Sequence, residues 1–362
     1  MAYRVFRSPN RYIQGVGAIE VLGKETAVYG EKAFLLTDDF VWGLLQDKVE
    51  RALEGFPYHY EAFTGEASLE EMVRLADAVA DTTADVIIGL GGGKIIDVAK
   101  GIAAACELPV VIVPTTVSTD APTSAISVLY TPDGLFDHYC FYDKNPELVL
   151  VDTQIVIQAP LRFFASGMAD ALATCAEALA TQASGEKALA GGLPTLAGTA
   201  IAKACEETLF RDGIHAFADV QNGLVTPAVE AIVEANTLLS GLGFENGGLA
   251  AAHAIHNGFT AIKGEVHRLT HGEIVGFCLL VQLVLEGRPH AEFAKYSQFL
   301  AAIGMPTTLA EMHLAGATRE ELLAVGKLAV SQSNTMRNLN KNITAEQVAD
   351  AILAVDGLVG KE

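Results

Sequence analysis

The stretch "DVIIGLGGGKIIDVAKGIAAA" (85–105) constrains the fold more than any other part of the chain. An apolar run of strand length leads into three consecutive glycines and then into an alanine-rich helical segment. A strand without polar alternation must be covered on both faces, which is the pattern of a parallel sheet. Four further runs read the same way: "KAFLLT" (32–37), "PYHYEAF" (57–63), "LPVVIVP" (108–114) and "ELVLVD" (147–152), with amphipathic stretches such as "LEEMVRLADAVAD" (69–81) between them. The alternation predicts an α/β unit with helices on both faces of a parallel sheet. "ISVLYTPDGLFDHYCFY" (126–142) interrupts it with two aromatic and β-branched runs around "TPDG", and predicts a hairpin.

After Pro160 the texture changes. Alanine, leucine and glutamate dominate and the β-branched runs disappear. Residues 1–160 are therefore expected to form a nucleotide-binding α/β domain, and 161–362 an all-helical one. Ligands in such architectures lie in the crevice at the carboxyl edge of the sheet, here facing the second domain.

Charge narrows the partners. With 44 acidic against 24 basic residues the net charge is -20, which argues against nucleic acid and favours a neutral small molecule. The most apolar run, "IVGFCLLVQLVL" (274–285), is too short for a bilayer and reads as a buried helix. The N-terminal "MAYRVFRSPNRYIQG" has no apolar signal core, so a soluble cytoplasmic protein is expected. The five cysteines never form a C-x-x-C pair, which leaves neither a thiolate zinc site nor a disulfide framework.

Two signals carry chemistry. In the first, Gly91, Gly92 and Gly93 let backbone N–H groups approach an anion, at which the following helix directs its positive end. The usual dinucleotide fingerprint needs a glycine where Lys94 stands, and the stretch is no Walker A loop either. A plain strand-to-helix turn, with Asp97 complementing the helix start, is the alternative; three glycines in a row favour pyrophosphate. Asp38, after the strand "LLT", can either accept ribose hydroxyls and repel a 2'-phosphate, favouring NAD over NADP, or simply cap the next helix.

In the second, four of nine histidines, His253, His256, His267 and His271, fall within nineteen residues. If both segments are helical, His253/His256 and His267/His271 are two same-face pairs. Asp170, near the start of an apolar helical segment, either caps it or coordinates. One carboxylate with two imidazoles leaves an open position, as in catalytic zinc, and would equally serve Fe2+.

Six segments together resemble the glycerol dehydrogenases of the metal-dependent (iron-containing) alcohol dehydrogenase family: "GGGKIIDVAK", "PTTVSTDAPTSAISVLY", "NPELVLVDT", "GMADALAT", "IVEANTLLSGLGFENGGLAAAHAIHNG" and "HGEIVGF". The resemblance implies a dehydroquinate synthase-like fold, with an NAD-binding α/β domain, a helical domain, and the active site in the cleft between them. It implies Asp170, His253 and His271 as ligands of zinc and contacts of the substrate, and Asp120 as a second substrate contact. Asp38, Gly91, Gly92, Gly93, Lys94, Asp97, Thr115, Thr116, Ser118, Ser124, Ile126 and Tyr130 fall on cofactor positions. Iron-dependent relatives place a histidine four residues after the aspartate, where this chain has Thr174. A three-ligand site favours zinc over Fe2+ and leaves His256 and His267 beside the chemistry. The implied reaction is oxidation of glycerol or another 1,2-diol by a large homo-oligomer, an octamer by resemblance. A glycerol 1-phosphate dehydrogenase or a dehydroquinate synthase-like lyase would each need basic residues near the substrate, and "STDAPTSAIS" has none.

Overall fold

The computed structural model describes residues 3–331 and 335–359, and the chain divides into two compact units. Ser8–Pro160 forms one, and Met1–Arg7 with Leu161–Glu362 forms the other.

The first unit is an α/β layer structure. Six parallel strands lie in the order β1-β8-β5-β4-β2-β3, from β1 (Arg11–Gly15), β2 (Ala33–Thr37), β3 (Tyr58–Ala62), β4 (Val86–Gly91), β5 (Val110–Pro114) and β8 (Leu148–Asp152). Every residue of β2, β4, β5 and β8 is buried, as runs without polar alternation require. All five expected strands are present. β1 was not expected: "RYIQG" is short, half polar and only partly buried, because it is an edge strand paired with β8 alone. The expected hairpin is also present, as β6 (Ile126–Tyr130) antiparallel to β7 (Phe136–Phe141).

The order of the strands locates the binding edge. From β2 the chain first adds β3 on one side, then crosses to place β4 and β5 on the other. The reversal falls between β2 and β4, which pair directly with Leu36 opposite Gly89. Ligands of open α/β sheets bind at such a switch point, beyond the carboxyl ends of the strands. Asp38 follows β2 there, and the glycine turn follows β4.

The second unit is helical. Its longest elements are Leu161–Ser184 and Leu196–Gln221. The apolar run at 274–285 lies in the helix His271–Leu285, in which Gly272 to Leu283 are all buried, as expected of a helix apolar on every side. Among the described residues no helix is long and apolar enough to cross a membrane. Three of the five free cysteines, Cys175, Cys205 and Cys278, are buried here.

Candidate active site

Three helices of the second unit bring together the residues that could hold a metal. Asp170 lies in the middle of Leu161–Ser184, so it does not cap that helix, and it is fully buried. His253 lies in the short helix Ala251–Gly258, and His271 is the first residue of His271–Leu285. One ligand atom from each of Asp170, His253 and His271 falls within 4.8 Å of the others, the single such cluster among the described residues. His253 Nε2 is 3.5 Å and His271 Nε2 3.3 Å from Asp170 Oδ1. Two ligands about 2.0–2.1 Å from a tetrahedral Zn2+ are separated by roughly 3.3 Å, so the spacing suits such an ion.

The hydrogen bonds around the cluster give a stronger fit. Neither oxygen of Asp170 accepts a hydrogen bond with proper geometry among the described residues. His253 Nδ1–H donates to Glu177 Oε2 at 2.6 Å. His271 Nδ1–H donates to His256 Nε2 at 3.1 Å, and His256 Nδ1–H in turn faces Asn257 Oδ1 at 3.3 Å. Both ligand imidazoles thus spend their N–H outward and turn the lone pair of Nε2 towards the carboxylate. The two Nε2 atoms and the carboxylate thus converge on one point, where a proton or a metal ion can sit.

The electrostatics agree. Burial alone would push the Asp170 carboxyl up, yet the imidazoles of His271 and His253 hold it well below its ordinary range. Burial disfavours a charged His253, but Glu177 and Asp170 outweigh it and raise its pKa well above the usual value. Burial together with the neighbouring His271 and His253 drives His256 the other way, so it stays neutral and able to accept from His271. The field that favours a proton at His253 also favours a metal ion in the same place.

Glu177 was missed from sequence. It is fully buried, two helical turns beyond Asp170 and on the same face. Its Oε1 accepts the backbone N–H of Ala250 and of His253, at 2.8 and 3.0 Å. Gln282 Oε1 accepts those of Ala251 and Ala252, at 3.0 and 2.9 Å. These two side chains satisfy the start of the helix that carries His253, which has no capping side chain of its own. A lone glutamate among alanines, seven residues from the candidate aspartate, was the available signal.

His267 and His271 do not share a helix face, contrary to the spacing. His267 belongs to a separate 3-10 turn, Glu265–Arg268, and its Nε2 meets Ile262 O at 2.6 Å. A capping box of Thr270 and Glu273 starts a new helix at His271, and Arg162 grips Glu273 Oε1 and Oε2 at 2.7 and 2.6 Å. The T-x-x-E pattern in "THGE" announces that break. The new helix starts close against the Leu161–Ser184 helix, for a Cβ on Gly272 would lie 1.9 Å from Ser166 O. Gly272→Ala is therefore expected to part the two helices, lower stability by roughly 1–3 kcal/mol and weaken metal binding, as read by thermal melts and metal titration.

The remaining candidates lie in the first unit. Gly92 is the N-cap of the helix Gly93–Cys106, which has no side-chain cap, and a Cβ there would meet nothing within 4 Å. The helix start is thus a bare cradle of backbone N–H groups, suited to a phosphate. Gly91 has another reason to be glycine: its Cβ would lie 2.4 Å from the Ile95 side chain, so it serves close strand–helix packing. Lys94 reaches Glu66 at 2.5 Å. Asp38 accepts from Val41 N–H at 2.8 Å and so caps its helix, and a carboxylate has lone pairs left for further donors. Thr115 N–H donates to Gly91 O at 3.0 Å, continuing the β4–β5 ladder, and the Thr116 and Ser118 hydroxyls lie 3.0 Å apart. Asp120 precedes the 3-10 turn Ala121–Thr123, Ser124 follows it, and Ile126 and Tyr130 bound β6.

The sequence profile of the iron-containing alcohol dehydrogenases matches residues 9–153. A glycerol dehydrogenase of Schizosaccharomyces pombe is 46% identical over 98% of this chain and 79% of its own. One of Thermotoga maritima is 45% identical over 96% of this chain and 95% of its own. This chain belongs to the iron-containing alcohol dehydrogenase family. The fold agrees: the crystal structure of a glycerol dehydrogenase from Schizosaccharomyces pombe superimposes with a TM-score of 0.96, at 44% identity, over 100% of this chain and 92% of that one. Thr174 lies one helical turn beyond Asp170. Its hydroxyl is buried and bound to Ser240 Oγ at 2.8 Å, and no fourth His, Asp, Glu or Cys joins the cluster among the described residues.

Proposed function

We propose that this chain is a zinc-dependent glycerol dehydrogenase, oxidising glycerol and related 1,2-diols at the secondary carbon, with NAD as hydride acceptor and dihydroxyacetone as the product from glycerol. The observation that carries the reading is the cluster of Asp170, His253 and His271, which no fourth His, Asp, Glu or Cys joins among the described residues. Three protein ligands leave room for substrate; two imidazoles and a carboxylate suit Zn2+ and Fe2+ alike, and the choice of Zn2+ rests on the resemblance at Thr174. A bound Zn2+ supplies Lewis acidity, lowering the pKa of a polyol hydroxyl into the neutral range.

The chain's own groups do the rest. Glu177 and His256 fix which nitrogen of each ligand histidine faces the site. His271, 30% exposed, forms the accessible side of the cluster, while Asp170 and His253 form its buried floor. Asp120 orients a second hydroxyl of the polyol. The Gly91–Gly93 turn takes the pyrophosphate of NAD with Lys94 beside it. Asp38 accepts a ribose hydroxyl and repels the 2'-phosphate of NADP. Asp97, Thr115, Thr116, Ser118, Ser124, Ile126 and Tyr130 shape the rest of the cofactor site. The reading also places the protein in the cytoplasm as a homo-oligomer, an octamer in size, which light scattering of the purified protein tests.

Steady-state assays test the activity. NAD with glycerol or 1,2-propanediol should support turnover, with NADP at least about tenfold poorer. A chelator should abolish turnover, and Zn2+ should restore it better than Fe2+. Preference for glycerol 1-phosphate, or turnover undiminished by the chelator, overturns the reading.

A further inference from the structure

The side chain of Lys100 is only 2% exposed, a burial that a lysine reaches only when its charge is paired. It lies two turns into the helix that starts at the glycine turn. The ammonium is 2.9 Å from Asp97 Oδ1 and donates to Ala121 O at 3.0 Å and, in a close contact, to Ile126 O. Its three donors therefore meet three acceptors. Asp97 completes the arrangement: its Oδ2 accepts Val128 N–H at 3.1 Å, and its carbonyl accepts the Ser127 hydroxyl at 2.8 Å.

The pair thus grips one segment at Ala121, Ile126, Ser127 and Val128. Between and beside those points lie Asp120, Ser124, Ile126 and Tyr130, all assigned above to substrate or cofactor. On its other side the segment is tied to β7 by the antiparallel ladder of Ile126, Ser127 and Val128 with Phe141, Cys140 and Tyr139. Asn145 Nδ2 donates to Thr123 O at 2.9 Å, and Tyr142 N–H to Ala125 O at 2.9 Å. A buried charge satisfied by two carbonyls and one carboxylate has a single low-energy arrangement, because any slip of the segment leaves a charged donor unpaired.

We propose that Lys100 and Asp97 are positioning residues for the cofactor: they lock the segment 121–128 in register with the glycine turn at the head of their own helix. The proposal rests on the reading of that turn as the NAD pyrophosphate site. It assigns Asp97 a role behind the site, through the hairpin, and requires no contact of either residue with NAD.

The test is NADH binding by fluorescence titration, with steady-state kinetics and metal content, for the wild type, Lys100→Met and Asp97→Asn. Wild-type protein that binds no NADH defeats the cofactor reading itself. With wild-type binding in hand, Lys100→Met should weaken NADH and raise KM for NAD by about tenfold or more. Its metal content should stay within about threefold, because the cluster lies in the other unit. Asp97→Asn keeps an acceptor for Val128 N–H, so its loss should be smaller, about threefold. A folded Lys100→Met with NADH affinity unchanged overturns the proposal, as does an equal loss of metal and cofactor. Should Lys100→Met fail to fold, Lys100→Gln, which keeps two donors without the charge, decides: weakened NADH at unchanged metal content supports the proposal, and unchanged NADH affinity overturns it.

Discussion

His271→Ala is expected to abolish turnover and to lower bound metal far below one ion per chain. The loss should exceed the roughly 10–100-fold that removal of an outer partner of a metal ligand costs, because here a ligand itself is gone. Two ligand atoms would remain, one of them on a fully buried carboxylate whose oxygens accept no hydrogen bond of proper geometry among the described residues. The fold should survive. His271 is the first residue of its helix, and the capping of that helix comes from Thr270 and Glu273, with Arg162 behind them. Alanine is well tolerated at such a position, and the imidazole is partly solvent-exposed, so no large cavity forms. The variant should therefore melt close to metal-free wild type while binding little metal. Elemental analysis with steady-state kinetics checks both halves. Normal turnover in a variant that holds no metal would show that the cluster is not the catalytic centre.

The parts legible in sequence and the parts that were not differ for physical reasons. β2, β4, β5 and β8 were readable because burial on both faces leaves only apolar residues in them. β1 was not, since an edge strand can keep Arg11 and Gln14. The ligand set was readable only by resemblance. Spacing pairs His267 with His271, whereas the backbone breaks at Thr270 and places one on a 3-10 turn and the other on a new helix. Asp170 is an unfavourable helix-interior residue whose reason is three-dimensional: both partners arrive from other helices. Glu177 and Gln282 were illegible for the same reason, since they satisfy a backbone more than seventy and about thirty residues away. The glycine turn was readable as a turn, but its glycines divide the labour, Gly91 for packing and Gly92 for an open approach.

Glu177→Gln separates two roles that one carboxylate combines. In the wild type, Oε1 satisfies the start of the helix bearing His253, and Oε2 takes the Nδ1–H of that histidine. Glutamine is nearly isosteric and can keep the first role with its carbonyl oxygen. Its amide then points at Nδ1, donor against donor, unless His253 shifts its proton to Nε2. A proton on Nε2 removes the lone pair that the metal needs. Glu177→Gln should therefore weaken metal affinity by about 10–100-fold with a modest change in melting temperature of the metal-free protein. Glu177→Ala should lose the same affinity and, with two buried N–H groups left unsatisfied, about 1–3 kcal/mol of stability for each. Metal titration against a competing chelator and thermal melts without metal read the two effects apart. If Glu177→Gln binds metal as tightly as wild type while Glu177→Ala is merely less stable, Glu177 is a helix cap alone. The orientation of His253 must then come from packing around its ring.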